Sequence, residues 1–305
     1  DMKSLRYWFD SDSSIRYAAA DDRIDWFRII PFIVLHLACL AVFWVGISAV
    51  AVYTAVILYL VRMFAITAFY HRYFAHKSFK TSRPVQFVFA VIGAASTQRG
   101  PIWWAAHHRN HHRHADTNQD PHSPREGFLW SHIGWFLSKR HFHADYGLVK
   151  DLSRYPELRW LDRFDIAIPL LLALSLFGLG EWLSWLNPGL NTNGWQMVVW
   201  GYFISTVILL HATLLINSLA HKWGKRRYNT GDDSRNNFLL ALLTLGEGWH
   251  NNHHYHASSA RQGFYWWEVD ISFYLLCLMN KFGLIWDMRT IPVKKRDHRL
   301  NKVSQ

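Results

Sequence analysis

Two long stretches almost empty of charge constrain this chain more than any other feature. Ile29 to Val61 contains no Asp, Glu, Lys or Arg, and between Ile166 and Ala220 the only such residue is Glu181. A bilayer core takes about 20 apolar residues per helix, so each stretch is too long for one span and suits two. Four spans are expected, near Ile29–Ile47, Ala49–Tyr70, Ile166–Leu186 and Trp195–Ala220, arranged as two hairpins. The turns inside the hairpins, around Gly46 and Ser48 and across Asn187–Gly194, carry no Lys or Arg. Positive charge is left to the N-terminal arm, the central region and the tail, which the positive-inside rule places in the cytoplasm. The expected fold is therefore an all-α integral membrane protein with a cytoplasmic helical cap, forming a single domain over 1–305. Its parts are an arm (1–28), a first hairpin (29–70), a polar region (71–165), a second hairpin (166–220) and a C-terminal polar region (221–305).

The net charge of +11 is spread around the hydrophobic stretches instead of forming one tract, which suits topology and anionic headgroups and argues against nucleic acid. Cys39 and Cys277 are the only cysteines, too few for a disulfide framework, a four-cysteine zinc site or an iron–sulfur cluster. The start is polar and mixed in charge, with no short hydrophobic core after a basic stretch, so a cleaved secretory signal is not expected. Pro84–Ser96 is apolar over only about 13 residues and reads as a buried or interfacial helix. Phe264–Met288 spaces Trp267, Ile271, Leu275, Leu278, Phe282 and Ile285 as an amphipathic helix lying on the bilayer or the cap.

The histidines are patterned. His108, His111 and His112 form H-x-x-H-H, and the pattern returns at His250, His253 and His254. With 19 His in 305 residues, one copy arises by chance about 0.07 times in such a composition, so two copies are signal. On a helix the three positions share one face. His71 and His76, in HRYFAH, follow the second expected span; five residues apart is about 140° on an ideal helix, so a break or bend is expected between them. Asn217 and His221, in NSLAH, stack at i, i+4 at the end of the fourth span. Nine imidazoles exceed what one metal takes and point to two. Imidazole suits iron, zinc, copper or nickel, and spacing does not choose among them. The HExxH motif of zinc proteases is absent, as are the paired Glu-x-x-His motifs of ferritin-like di-iron bundles.

HRYFAH, HHRNHH, NSLAH and GEGWHNNHH, in that order and with HADTNQDPHSPREGFLWSHIGWFL between, resemble the His boxes of the integral-membrane fatty acid desaturases, in the acyl-CoA (stearoyl-type, delta-9-like) branch. The resemblance covers about Phe64 to Ala260, and the motifs are specific in combination. It implies an O2-dependent di-iron oxidoreductase that introduces a double bond, expected cis, into a saturated fatty acyl chain held in a narrow hydrophobic tunnel. The residues matching the two-iron ligands are His71, His76, His108, His111, His112, His221, His250, His253 and His254. Asn217 matches a residue that holds a water on one iron, and zinc can replace iron in purified protein. Pro101–His107 reads PIWWAAH, without the polar and charged residues that meet CoA in animal members. That is similar to bacterial members and implies the bacterial inner membrane. The acyl carrier is expected to be a thioester, CoA or acyl carrier protein, with intact lipid also open. The chain lacks a His-Pro-Gly-Gly cytochrome b5 signature and a dinucleotide fingerprint, so electrons are expected from a separate ferredoxin, rubredoxin or cytochrome b5 type donor with its reductase. A hydroxylase or acetylenase on the same site is the nearest rival. A non-enzymatic metal transporter or a heme or metal sensor is the distant one, since transport places ligands near the midplane of the bilayer.

Around these boxes, Asp116, Asp120, His122 and His132 are expected to orient ligating imidazoles, with plain turn chemistry in DPHSP as the alternative. Trp103, Trp104, Trp130 and Trp135 are candidates for the tunnel wall, against ordinary packing. Arg62, about two turns inside its span, is expected to snorkel to the cytoplasm. His36 and His211 are expected to hydrogen-bond within the bundle. His107, His114, His141, His143, His256 and His298 are not expected to be ligands. Trp26, Trp44, Trp182, Trp185 and Trp195 read as an interfacial belt.

Overall fold

The computed structural model describes Arg6, residues 8–12 and residues 22–297. The remainder of the arm, and the tail that contains His298, lie outside the described residues. Among the described residues, three helices are long and apolar enough to cross a membrane: α2 (Ala49–Ala75), α6 (Ala167–Leu186) and α7 (Gly194–His221). The helix before them, α1 (Ile30–Val45), is apolar but shorter. It starts with Pro31 in its first turn, where a missing N–H costs nothing. It stops at Gly46, whose φ of +70° suits glycine. Ser48 then caps α2 by accepting from the Ala51 N–H at 3.2 Å. The first expected span is thus cut short by the turn that closes its hairpin. The second hairpin is equally tight: a Cβ on Gly180 would lie 2.4 Å from the Asn193 carbonyl oxygen.

Phe43 and Trp44 are each 81% exposed and Trp185 is 78% exposed, a surface that only lipid would cover favourably. Trp26, Trp182 and Trp195 are exposed as well. Inside the bundle, Leu35, Leu176, Met197 and Tyr202 form one apolar core. The expected polar pairing of His36 and His211 is present: their Nε2 atoms are 2.8 Å apart, fixing α1 to α7. His211 Nδ1 continues to His132 Nε2 at 3.0 Å.

Arg62 corrects an expectation. It does not snorkel; it is 1% exposed and donates to the Ala95 carbonyl (3.0 Å), Thr206 Oγ1 (2.6 Å) and Ser205 Oγ (2.8 Å). Hydroxyls on α7 and a free helix-end carbonyl supply what water would otherwise supply.

The cap packs on the ends of α2 and α7. It contains α3 (Arg83–Ala94), α4 (Pro101–His114), α5 (Pro156–Arg163), α8 (Phe238–Leu243), α9 (His250–Tyr255) and α10 (Ile271–Lys281). Phe69, Phe74, Ile102, Leu158 and Leu276 lie in its core. α3 is the short apolar helix expected. α10 is shorter than the amphipathic stretch, because Asp270 caps it at the Phe273 N–H (3.0 Å) and Gly283, at φ +70°, follows its end. Leu276 and Met279 point inward, while Leu278 and Phe282 are exposed. The all-α expectation needs one amendment: Lys80–Thr81 (β1) and Ile285–Trp286 (β2) form a two-residue antiparallel ladder.

Candidate metal centre

Four pieces of backbone deliver the histidines. The end of α2 is a π-helix from Ala65 to Ala75, and the His76 N–H bonds to the His71 carbonyl at 3.2 Å. Hydrogen bonding from i to i+5 sets residues five apart roughly one turn apart, so His71 and His76 share a face, and the helix ends between them, at Ala75. On α4, His108, His111 and His112 face inward. Arg109, on the other side, ties α4 to α2 through the carbonyls of Phe74 (2.6 Å) and Ala75 (2.9 Å). The last turn of α7 tightens to a 3₁₀ helix at Leu219–His221. α9 is held from behind: Asn251 Oδ1 accepts from the Tyr228 N–H (2.7 Å), and Asn252 Nδ2 donates to the Gln262 carbonyl (2.9 Å). Gly248 allows α8 to lie directly on the strand of chain entering α9, where a Cβ would be 2.1 Å from the Ala241 nitrogen.

The result is two clusters of ring nitrogens, each within 4.8 Å of one another. One is made by His71, His76, His108, His112 and His253, the other by His111, His221, His250 and His254. All nine expected imidazoles are brought together, and their Nε2 atoms meet head to head. His71 and His253 approach to 3.0 Å, His76 and His108 to 2.9 Å, His112 and His253 to 2.9 Å, His221 and His250 to 3.0 Å.

The opposite nitrogens decide what such contacts mean. Asp120 accepts from His111 Nδ1 (2.9 Å), Asp116 from His221 Nδ1 (3.1 Å) and Asp232 from His254 Nδ1 (2.9 Å), while Glu247 contacts His71 Nδ1. A ring whose Nδ1 donates carries a lone pair on Nε2 when neutral. His111 and His254 each place Nδ1 on a carboxylate, and their Nε2 atoms are 3.3 Å apart. Two Nε2 atoms so placed share either a proton or a metal cation. Metal–nitrogen bonds of about 2.0–2.1 Å put neighbouring nitrogens on one ion roughly 3 Å apart, so the spacing fits metal ligation.

Electrostatics agree. Burial, reinforced by the neighbouring imidazoles, holds His108, His112, His250 and His253 well below the ordinary histidine range. Burial also takes His254 down to about 4 despite Asp232. For His111, burial acts the same way but is outweighed by Asp120, and its pKa is raised. Asp116, Asp120, Asp232 and Glu247 are all buried, and each is held below the usual carboxylate range, the cost of burial being outweighed by its histidine partner. Four buried carboxylates behind mostly neutral imidazoles favour cationic occupants.

Asp116 and Asp120 bond to imidazoles of the clusters; two other expected site residues lie elsewhere and one makes a different contact. His132 lies away from the clusters, bonded to Ser218 Oγ (3.0 Å) and His211, because the π-turn at Trp130–Gly134 packs on the middle of α7. Trp130 is not in the cavity wall described below; its ring faces His141, 6.0 Å away. His122 bonds to no ligand imidazole and instead stacks on His111, with ring centres 4.3 Å apart. Asp232 and Glu247 were missed. Glu247 sits in GEGWH, and Arg72, 1% exposed, clamps it to Asp270 with Nη2 at 3.0 Å from each carboxylate; Asp232 lies in the acidic TGDDS turn.

A cavity of about 460 Å³ runs from Arg28 and Arg99 to His108, walled along the way by Trp103, Trp104 and Trp135. Beside His108, Gln98 donates to Thr213 Oγ1 (3.1 Å) and accepts from Trp104 Nε1 (3.4 Å). A smaller void of about 30 Å³ is bounded by His71, His108, His250, Glu247 and Asn217, room for a water-sized molecule between the clusters. Asn217 borders both spaces.

The model of the family described as fatty acid desaturase matches residues 47–270. The chain belongs to the fatty acid desaturase family. It is 38% identical to the sn-1 stearoyl-lipid 9-desaturase of Anabaena variabilis, over 90% of this chain and 97% of that protein. It is 35% identical to the sn-2 palmitoyl-lipid 9-desaturase of Nostoc sp. (90% and 94% covered) and 36% identical to an acyl-CoA 5-desaturase of Anemone leveillei (92% and 84% covered). This desaturase is accordingly an oxidoreductase of lipid metabolism, with a fatty acyl substrate and helices suited to a membrane.

Proposed function

We propose that this chain is an O2-dependent di-iron desaturase that inserts a cis double bond into a saturated fatty acyl chain at the inner membrane of a bacterium. One iron would be held by His71, His76, His108, His112 and His253, the other by His111, His221, His250 and His254, with Asn217 holding a water in the small void. The observation that carries this is the convergence of nine imidazoles in two clusters, with His111 and His254 facing through Nε2 and each backed by a carboxylate at Nδ1. When bound, two irons supply the O2-derived oxidising power needed to remove hydrogen from two adjacent methylenes.

The chain's own residues do the rest. Asp116, Asp120, Asp232 and Glu247 keep the Nδ1 protons in place, so the Nε2 lone pairs face the ions. The apolar cavity excludes water and, lacking any polar handle on the methylenes to hold, fixes them by shape. Its inner wall at His108, Trp104, Gln98 and Thr213 presents one stretch of the chain to the centre.

In this reading α1, α2, α6 and α7 are four spans of one domain, both termini and the His clusters lie in the cytoplasm, and a separate ferredoxin, rubredoxin or cytochrome b5 type donor supplies electrons. Zinc in purified protein would occupy the same imidazoles.

The test is mass spectrometry of total fatty acids from bacteria expressing the chain with an electron donor, with His250→Ala as control. A new unsaturated acid made only by the intact protein supports the reading. A hydroxy acid would retain the centre and replace the reaction, and no new product with iron bound would count against a fatty acyl substrate.

A further inference from the structure

The relatives are named for acyl chains on two kinds of carrier, glycerolipid and CoA, and the cavity favours one of them. Its wall is built from two facing helical stripes. On α1, Pro31, Val34 and Leu35 are spaced i, i+3, i+4; where α6 begins, Ile166, Pro169 and Leu170 repeat that spacing. α6 packs chiefly along Gly194–Ile204, and meets α1 through Leu35 and Leu176 in the shared apolar core. Val34 and Leu170 line the cavity and are also 53% and 45% exposed on the outer apolar surface. The cavity wall is therefore at the bilayer-facing surface between these helices.

α1 is held on its other edge. His36 lies two residues, about 200°, from Val34, and its bond to His211 fixes that edge to α7. The helix is pinned on the side away from the gap, and the gap itself has no such tie among the described residues.

The polar end of the cavity is the second observation. Two arginines line it, Arg28 and Arg99, and each pairs with an aspartate that also lines it: Arg28 with Asp25 at 3.5 Å, and Arg99 with Asp165. Arg28 further covers the Phe142 ring at 3.4 Å. Arg28 lies two residues before α1 and Asp165 two before α6, so these pairs sit at the mouth of the gap. Neutralised pairs suit the uncharged ester region of a lipid, whereas the several phosphate charges of CoA call for cations in excess.

We infer that the acyl chain of an intact bilayer glycerolipid enters this cavity sideways, between Val34 on α1 and Leu170 on α6, with its ester region at the Arg28–Asp25 and Arg99–Asp165 pairs. This rests on the desaturase reading and specifies its substrate. No new covalent step is added; the carrier stays attached throughout.

The test uses the iron-loaded full chain with its electron donor in lipid nanodiscs. In one arm, isotope-labelled palmitoyl and stearoyl chains are esterified in the disc phospholipid; in the other, the same chains are offered as CoA thioesters to discs of branched, unreactive lipid. Val34→Cys/Leu170→Cys is assayed before and after bridging with a bismaleimide, mass spectrometry confirming the bridge. The expected result is labelled unsaturated lipid in the first arm, little product in the second, and at least a tenfold loss on bridging with bound iron unchanged. Full lipid activity after bridging, or conversion of the CoA thioester alone, overturns the lateral route while the desaturase reading stands. Conversion of neither by the unmodified protein overturns both.

Discussion

His111 and His254 face each other through Nε2 at 3.3 Å while Asp120 and Asp232 hold their Nδ1 protons. A proton shared between the rings or a metal cation bound by both accounts for this arrangement, and the nine-imidazole clusters around it fit the metal. Removing the group behind the ring should therefore weaken metal binding without touching a ligand. Asp232→Ala is expected to lower affinity about 10–100-fold, read by competition with a chromophoric chelator. His107→Gln, on α4 but outside both clusters, should leave metal stoichiometry unchanged.

The buried imidazoles predict how the metal-free protein responds to acid. His108, His112, His250 and His253 stay neutral far below the ordinary value of 6.5, and His254 does so down to about 4. Their folded values lie below the unfolded one, so the unfolded chain gains protons first as pH falls. Stability should be greatest above about pH 6.5 and decline below it, the His254 share being lost between 6.5 and about 4. Thermal unfolding of chelator-stripped protein should show this slope, and His254→Gln should flatten it.

Much of the fold and most of the site could be read from sequence, because charge-free stretches and His spacing are local signals. The π-turn at Ala65–Ala75 was not legible: its signal, two histidines five residues apart, looks like a break when a 3.6-residue repeat is assumed. Arg62 was misread because its hydroxyl partners Ser205 and Thr206 lie about 140 residues away. Sequence proximity to the second box suggests His132 and Trp130 for the site, but both sit on the π-turn that packs on the middle of α7. Glu247 and Asp232 act across long sequence gaps on His71 and His254, so no spacing rule announces them.

Arg62 gives a stability prediction. Arg62→Leu leaves Thr206, Ser205 and the Ala95 carbonyl without their donor in the bundle core, a loss of about 3 kcal/mol. The midpoint of thermal unfolding in detergent should fall clearly, whereas Arg83→Leu, which breaks an exposed pair with Glu157, should move it little.

Two glycines should respond oppositely. A Cβ at Gly248 meets backbone atoms of Ala241 and Asn237 at 2.1 and 2.4 Å, whereas at Gly178, within α6, nothing lies within 4 Å. Gly248→Ala should lower the unfolding midpoint and disturb the seat of His250, lowering bound metal. Gly178→Ala should be neutral or stabilising by up to about 1 kcal/mol, since alanine is the better helix residue.

The measurement closest to the central claim is the metal content of the purified chain after anaerobic loading with iron, by elemental mass spectrometry against quantitative amino-acid analysis. Two imidazole clusters predict close to two irons per chain, falling to about one when His221 and His250 are both changed to Ala. A folded protein that binds no more than one iron, or keeps two after that double substitution, would contradict the account.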